Sequence, residues 1–116
     1  MVIRKDVSAR MSRVVEHNGT VYLAGIVSDD KTADIKVQAA RVLEIAEKKL
    51  AMADVTKHDI LRVEIFVKDI ASDFTGFNEI WDEWVSKENP PARACIEGNM
   101  ATATTLVEII VTAAKS

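Results

Sequence analysis

Residues 105 to 113 read Thr-Leu-Val-Glu-Ile-Ile-Val-Thr-Ala. Successive side chains of an extended strand point to opposite faces, so Val107, Ile109 and Val111 share one side and Leu106, Glu108 and Ile110 the other. Both sides are apolar except at one carboxylate, and a strand of that kind belongs in a sheet covered on both faces. Glu108 is the exception to be explained. A carboxylate among apolar neighbours must be neutral, paired or hydrogen-bonded to escape a heavy desolvation cost.

Working outward, Ala92 to Glu97 forms a second C-terminal strand, separated from the first by the polar, flexible Gly98-Asn99 connection. Asn89-Pro90-Pro91 ends the helix before it, because a residue preceding proline avoids the α region. From Asp73 the spacing is helical, with Phe74, Phe77, Trp81, Trp84 and Val85 forming one stripe. Ile60 to Val67 alternates as a strand: Leu61, Val63, Ile65 and Val67 face one way, and Ile60, Arg62, Glu64 and Phe66 the other. An earlier helix is predicted from Ile35, Ala39, Val42, Leu43, Ala46 and Leu50. Asp34 near its start and Lys48 and Lys49 near its end suit the helix dipole. Ser12 to His17 and Thr20 to Val27 are β-branched runs joined by Asn18-Gly19, the strongest short signal for a type I′ hairpin.

The order is therefore β-β-α-β-α-β-β. Two helices are too few to cover both faces of a five- or six-stranded sheet, so an α+β arrangement with both helices on one face is expected. The doubly apolar last strand then requires a cover for the second face. Another copy of the chain supplies it, which predicts a homo-oligomer.

The chain has 116 residues and a mass of 12.8 kDa, which suits a single domain over residues 1–116. Its 48% hydrophobic and 28% charged residues exclude a disordered polymer. A net charge of −3 and a pI of about 5.4 give a polyanion no general field to follow, so nucleic acid is not an expected partner. The single Cys95 excludes an intrachain disulfide and leaves too few thiols for a zinc site. No apolar stretch of signal-peptide or membrane-spanning length is present, so the expected location is the cytoplasm, away from membranes. A glycine-rich phosphate loop, a GxSxG elbow and a basic stripe with interleaved aromatics are all missing.

Arg93 is the nearest candidate in pattern to answer Glu108, if antiparallel pairing of the last two strands brings the two side chains together. One reading is a structural ion pair at a strand edge or subunit interface. The other is a site, with a guanidinium fork holding a substrate carboxylate and a carboxylate nearby working on water or a proton. Cys95, two residues after Arg93, shares its face, either as a small buried hydrophobe or as a nucleophile lacking an obvious basic partner. His17 and His58 sit at turn or strand-start positions and have no metal-ligand spacing. Trp81 and Trp84 read as core residues on helical spacing.

The segments PPARACIEG (90–98) and LVEIIVTAA (106–114) resemble the C-terminal signature of the RidA (YjgF) family of small trimeric proteins. NGTVYLAGIV (18–27) is similar to that family's second strand region, and ILRVEIFVKDIASDFTGFNEIWDEWV (60–85) to its central strand and second helix. The resemblance runs from about Ser12 to the end; ARMSRVV and WDEWV are closer to the shorter YoaB-like members than to RidA itself. It implies a chorismate-mutase-like α+β fold, with three chains packing their sheets together and ligand sites in the clefts between subunits.

The activity it implies is hydrolysis of reactive enamine and imine intermediates to 2-keto acids and ammonia, without a metal or bound cofactor. Carried onto this sequence, Arg93 would bind the substrate carboxylate, Glu108 would position or activate water, and Cys95 would line the cleft and present its backbone. Asn78 matches a family position near the site. The best-known members have a Tyr and a Ser where this chain has Met11 and Ala24, removing two hydroxyls from the ligand's surroundings. The alternatives are a trimeric binding protein for small carboxylates or 2-keto acids and, disfavoured by the net charge of −3, a ribonuclease or translation inhibitor.

Overall fold

The computed structural model describes residues 1–116. The elements are β1 (Ile3–Val7), β2 (Ser12–His17), β3 (Thr20–Leu23), β4 (Ile26–Val27), α1 (Ile35–Ala51), β5 (Ile60–Val67), α2 (Ile70–Trp84), β6 (Ala92–Glu97) and β7 (Val107–Ala114). They build one mixed sheet in the order β1-β2-β3-β7-β5-β6, with β4 also paired to β7. The fold is thus α+β, as the patterning predicted, and both helices lie on one face of the sheet. Alternating strand residues Val14, Val21, Val63, Ile65, Val107 and Ile109 are sealed beneath them. Ala39, Val42, Leu43 and Leu50 of α1 and Phe77 and Trp81 of α2 close the core from above.

Local chemistry explains the element ends. Asn18 and Gly19 both take positive φ, 49° and 78°, and close β2 onto β3 as the hairpin signal requires. Asp34 caps α1 by accepting from the Val37 amide at 3.0 Å, and Asp69 caps α2 by accepting from the Ser72 amide at 3.2 Å. The second cap places the start of α2 at Ile70, ahead of the Asp73 that periodicity suggested.

Three further expectations are corrected. First, residues 3–7 form a strand that no clean alternation announces. Asp6 sits at a φ of 54° and interrupts the pairing with β2, while its carboxylate bonds Lys49 of α1. Second, the run Thr20 to Val27 is two short strands, both on β7, separated at Ala24-Gly25. Third, a register shift between Ile60 and Arg62 turns Ile60 into the core and leaves Leu61 outside, reversing the start of the alternation.

β7 runs through the middle of the sheet between β3 and β5. Its odd-numbered residues, Val107 to Ala113, are buried under the helices, and its even-numbered ones are only half-buried. Around them on the open face lie Tyr22, 49% exposed, and Ile96, 51% exposed, with Val15, Val27 and Phe66 partly covered. No helix is long and apolar enough to cross a membrane.

Candidate functional site

Arg93 and Glu108 do not meet within one chain. β6 pairs in parallel with β5, not antiparallel with β7, and β5 lies between the two. Directly opposed residues share a face, so Arg93 opposite Val63 is on the helix side. Glu108, opposite Phe66 and Val27, is on the open side. The pairing expected from sequence fails because α2 connects β5 to β6 as a parallel crossover, which puts β6 on the outer edge and leaves the inner edge of β5 to β7.

On the helix side, Arg93 is half-buried at the sheet edge under α2. Its Nη2 donates to Asn78 Oδ1 at 2.7 Å. Its guanidinium carbon lies 5.1 Å from the ring centre of Trp81 and 5.9 Å from that of Phe77. No carboxylate pairs with it; the nearest acidic side chain on its own strand and face, Glu97, instead accepts from the Ile70 amide at 3.1 Å. A guanidinium has five N–H donors, so most of this fork is free to receive an anion. Asn78 thus takes a place beside Arg93, on the second helix.

Cys95 follows on the same face, opposite Ile65 and packed against the core. Burial pushes its thiol above the ordinary range, and the nearby Arg93 charge draws it only partly back. It is a protonated thiol at neutral pH, which is the environment of a packing residue and not of an activated nucleophile.

On the open side, the Glu108 carboxylate lies against Gly25 in the break between β3 and β4. A Cβ on Gly25 would collide with Glu108 Oε2. Sequence reasoning named Ala24 and overlooked Gly25; a glycine inside a β-branched run was the signal, since such a residue marks a close approach. Ala24 and Gly25 also line a cleft of about 200 Å³ with Arg13, Ile26, Val27, Ile45 and Lys49. Met11 is exposed at the turn between β1 and β2, where the Ser8 amide donates to its carbonyl at 2.8 Å.

The remaining candidates have structural partners. His58 Nδ1 shares a 2.9 Å hydrogen bond with Ser86 Oγ, which also accepts from the Asn89 amide at 3.0 Å and so fixes the turn after α2. His17 is exposed beside Met1, whose carbonyl lies 3.2 Å from Nδ1. Trp81 is buried in the core as read, and Trp84 reaches across to α1, donating from Nε1 to Glu47 Oε2 at 2.9 Å. Buried Gln38, which drew no attention in the sequence, ties α1 to the segment before β7. It donates to the Thr104 carbonyl at 2.9 Å and accepts from the Leu106 amide at 2.9 Å.

A mixed sheet backed by two helices, with a braced arginine on the helix side and a carboxylate on the open side, defines a small α+β class. The family model described as Endoribonuclease L-PSP matches residues 3–115, and the chain belongs to that family, the RidA/YjgF group. A RutC family protein of Haemophilus ducreyi is 40% identical over 114 residues, covering 98% of this chain and 97% of its own. The RutC family protein YoaB of Escherichia coli is 34% identical over 113 residues, with 97% of each chain covered. Among solved structures, a YjgF family member from Neisseria meningitidis superposes with a TM-score of 0.95 at 32% identity, over 100% of this chain and 96% of that one.

Proposed function

We propose that this protein hydrolyses 2-imino and 2-enamino acids to 2-keto acids and ammonia, in clefts between the subunits of a homotrimer. The observation that carries the reading is Arg93: a half-buried guanidinium braced by a neutral amide and two aromatic rings, with no carboxylate of its own chain to satisfy it. Such a fork suits the planar carboxylate of a small acid. Glu108 belongs to the same site once a neighbouring copy covers the open face, because the two residues lie on opposite sides of one sheet.

The chemistry needs only acid–base groups. An enamine takes a proton at carbon to give the iminium; water adds to C2 as its proton passes to a carboxylate, and the tetrahedral adduct expels ammonia to leave the ketone. Glu108 is the group that orients the water and accepts its proton. Arg93 fixes the substrate by its carboxylate, Asn78 holds Arg93, and the segment around Cys95 borders the cleft. Met11 and Ala24 supply no hydroxyl, which leaves ligand recognition to Arg93.

The test couples threonine dehydratase or an amino-acid oxidase to this protein and follows disappearance of the imine. Acceleration by the wild type and its loss in Arg93→Ala is the expected result; no acceleration, or equal acceleration by both, overturns it. Met11 and Ala24 favour a second reading, a binding protein that holds 2-keto acids in the same cleft without turnover, which saturable binding with no acceleration would establish. Chromatography with light scattering tests the trimer directly.

A further inference from the structure

Phe77, Asn78 and Trp81 lie within little more than one turn of α2, and all three touch Arg93. The two rings stack on each other, centroids 6.1 Å apart and planes inclined by 28°, so that both stand against the same guanidinium. Trp81 is held in turn by Trp84, 5.5 Å away, whose indole N–H is tied to Glu47 of α1. The support of Arg93 therefore runs from the strand edge through three aromatic rings to the other helix. Every group that touches the guanidinium is uncharged.

That choice has an electrostatic meaning. A half-buried cation needs compensation, and an acidic partner would supply it while cancelling the charge that a ligand must feel. Aromatic faces stabilise a guanidinium through their quadrupoles and leave its net charge and most of its N–H donors unspent. A flat support also restricts rotation of the guanidinium plane, so the fork meets a carboxylate in one orientation.

We infer that Trp81, backed by Phe77, is a positioning residue for Arg93 that confers affinity for planar carboxylates such as 2-imino and 2-keto acids. This rests on the deaminase reading, so the experiment measures turnover and binding separately. Trp81→Leu removes the π face, Trp81→Phe keeps one, and each is assayed as the intact assembly for imine consumption and, by calorimetry, for affinity toward 2-ketobutyrate. Trp81→Leu is expected to raise KM and weaken 2-ketobutyrate binding by about tenfold, the scale of a desolvated cation–π contact, with kcat changed less than about twofold.

Trp81→Phe should recover most of that affinity even if its melting temperature falls as far as that of the leucine variant. Equal affinities in all three proteins, or losses that track melting temperature and fall on kcat, overturn the inference. Wild-type binding without turnover would remove the deaminase reading and leave the inference standing on the calorimetry. Absence of both would overturn the two together.

Discussion

The two faces of the sheet differ at neighbouring positions of the same strand. Ile109 is fully buried beneath the helices, while Ile110 stands half-covered on the open side beside Glu108. The covered face is completed by the chain itself: Val63, Ile65, Val67 and Ile109 meet α1 and α2 residues through apolar contact alone. The open face has comparable strand residues, Tyr22, Phe66, Ile96 and Ile110, and no layer of its own chain above them. One face explains why the chain folds, and the other is the surface that the proposed trimer would cover.

The sharpest way to break this contrast is an aspartate at each of the two adjacent isoleucines. Ile109→Asp buries an unpaired charge and is expected to cost more than about 4 kcal/mol, leaving no cooperative melt by circular dichroism. Ile110→Asp should keep the fold and its spectrum while light scattering reports a monomer. If both variants unfold, the open face is part of the chain's own core.

A divided site makes a second prediction. Arg93→Ala and Glu108→Ala should each lower imine turnover by about 100-fold or more, within the range for loss of a general base or a binding anchor. Refolded together from denaturant, they should regain roughly a quarter of wild-type activity, since in random mixing that fraction of interfaces pairs an intact Arg93 with an intact Glu108. No recovery would mean that Arg93 and Glu108 do not complete one site across an interface.

A smaller effect is expected at Gly25. Alanine there places its Cβ against Glu108 Oε2, and displacing the carboxylate should lower kcat about tenfold, with light scattering still reporting the assembly.

The smallest effect concerns an exposed pair at the end of β4. Bidentate bonding from Arg41, at 2.9 and 2.6 Å, pulls the Asp29 carboxyl down to about 2. Its folded value lies below its unfolded one, so the pair stabilises the protein above the usual carboxylate range, and that contribution is lost as pH falls from about 4 toward about 2. Arg41→Leu should return the Asp29 titration, followed by carboxyl NMR, to the ordinary range and flatten the stability curve across that window. The effect is confined by solvent screening.

The strands and helices with one strong period were legible in the sequence: the Asn18-Gly19 hairpin, α1, β5 and the doubly apolar β7. What escaped were departures from periodicity. The Ile60–Arg62 register shift and the positive φ of Asp6 depend on tertiary contacts, since Asp6 is held by Lys49, 43 residues away. For the candidate site, Arg93 and Glu108 stand out in the sequence and Asn78 through the family resemblance, but the spatial relation of Arg93 and Glu108 is not legible there. Strands β6 and β7 are neighbours in sequence but not in space, because the helix between β5 and β6 makes β6 pair in parallel with β5 on its outer edge. The aromatic support of Arg93 was hidden because Phe77 and Trp81 satisfy core periodicity equally well.

The sheet order carries one more consequence, for folding. β7 is the strand that joins β3 to β5, so until it docks the β2-β3 hairpin and the β5-α2-β6 unit have no strand in common. A chain with β7 undocked carries both units with their central edges bare, a state in which exposed edges invite pairing with other chains. Closure of the sheet and burial of the core therefore wait on the docking of β7, so removal of Val107–Ala114 should leave a product that fails to fold and aggregates.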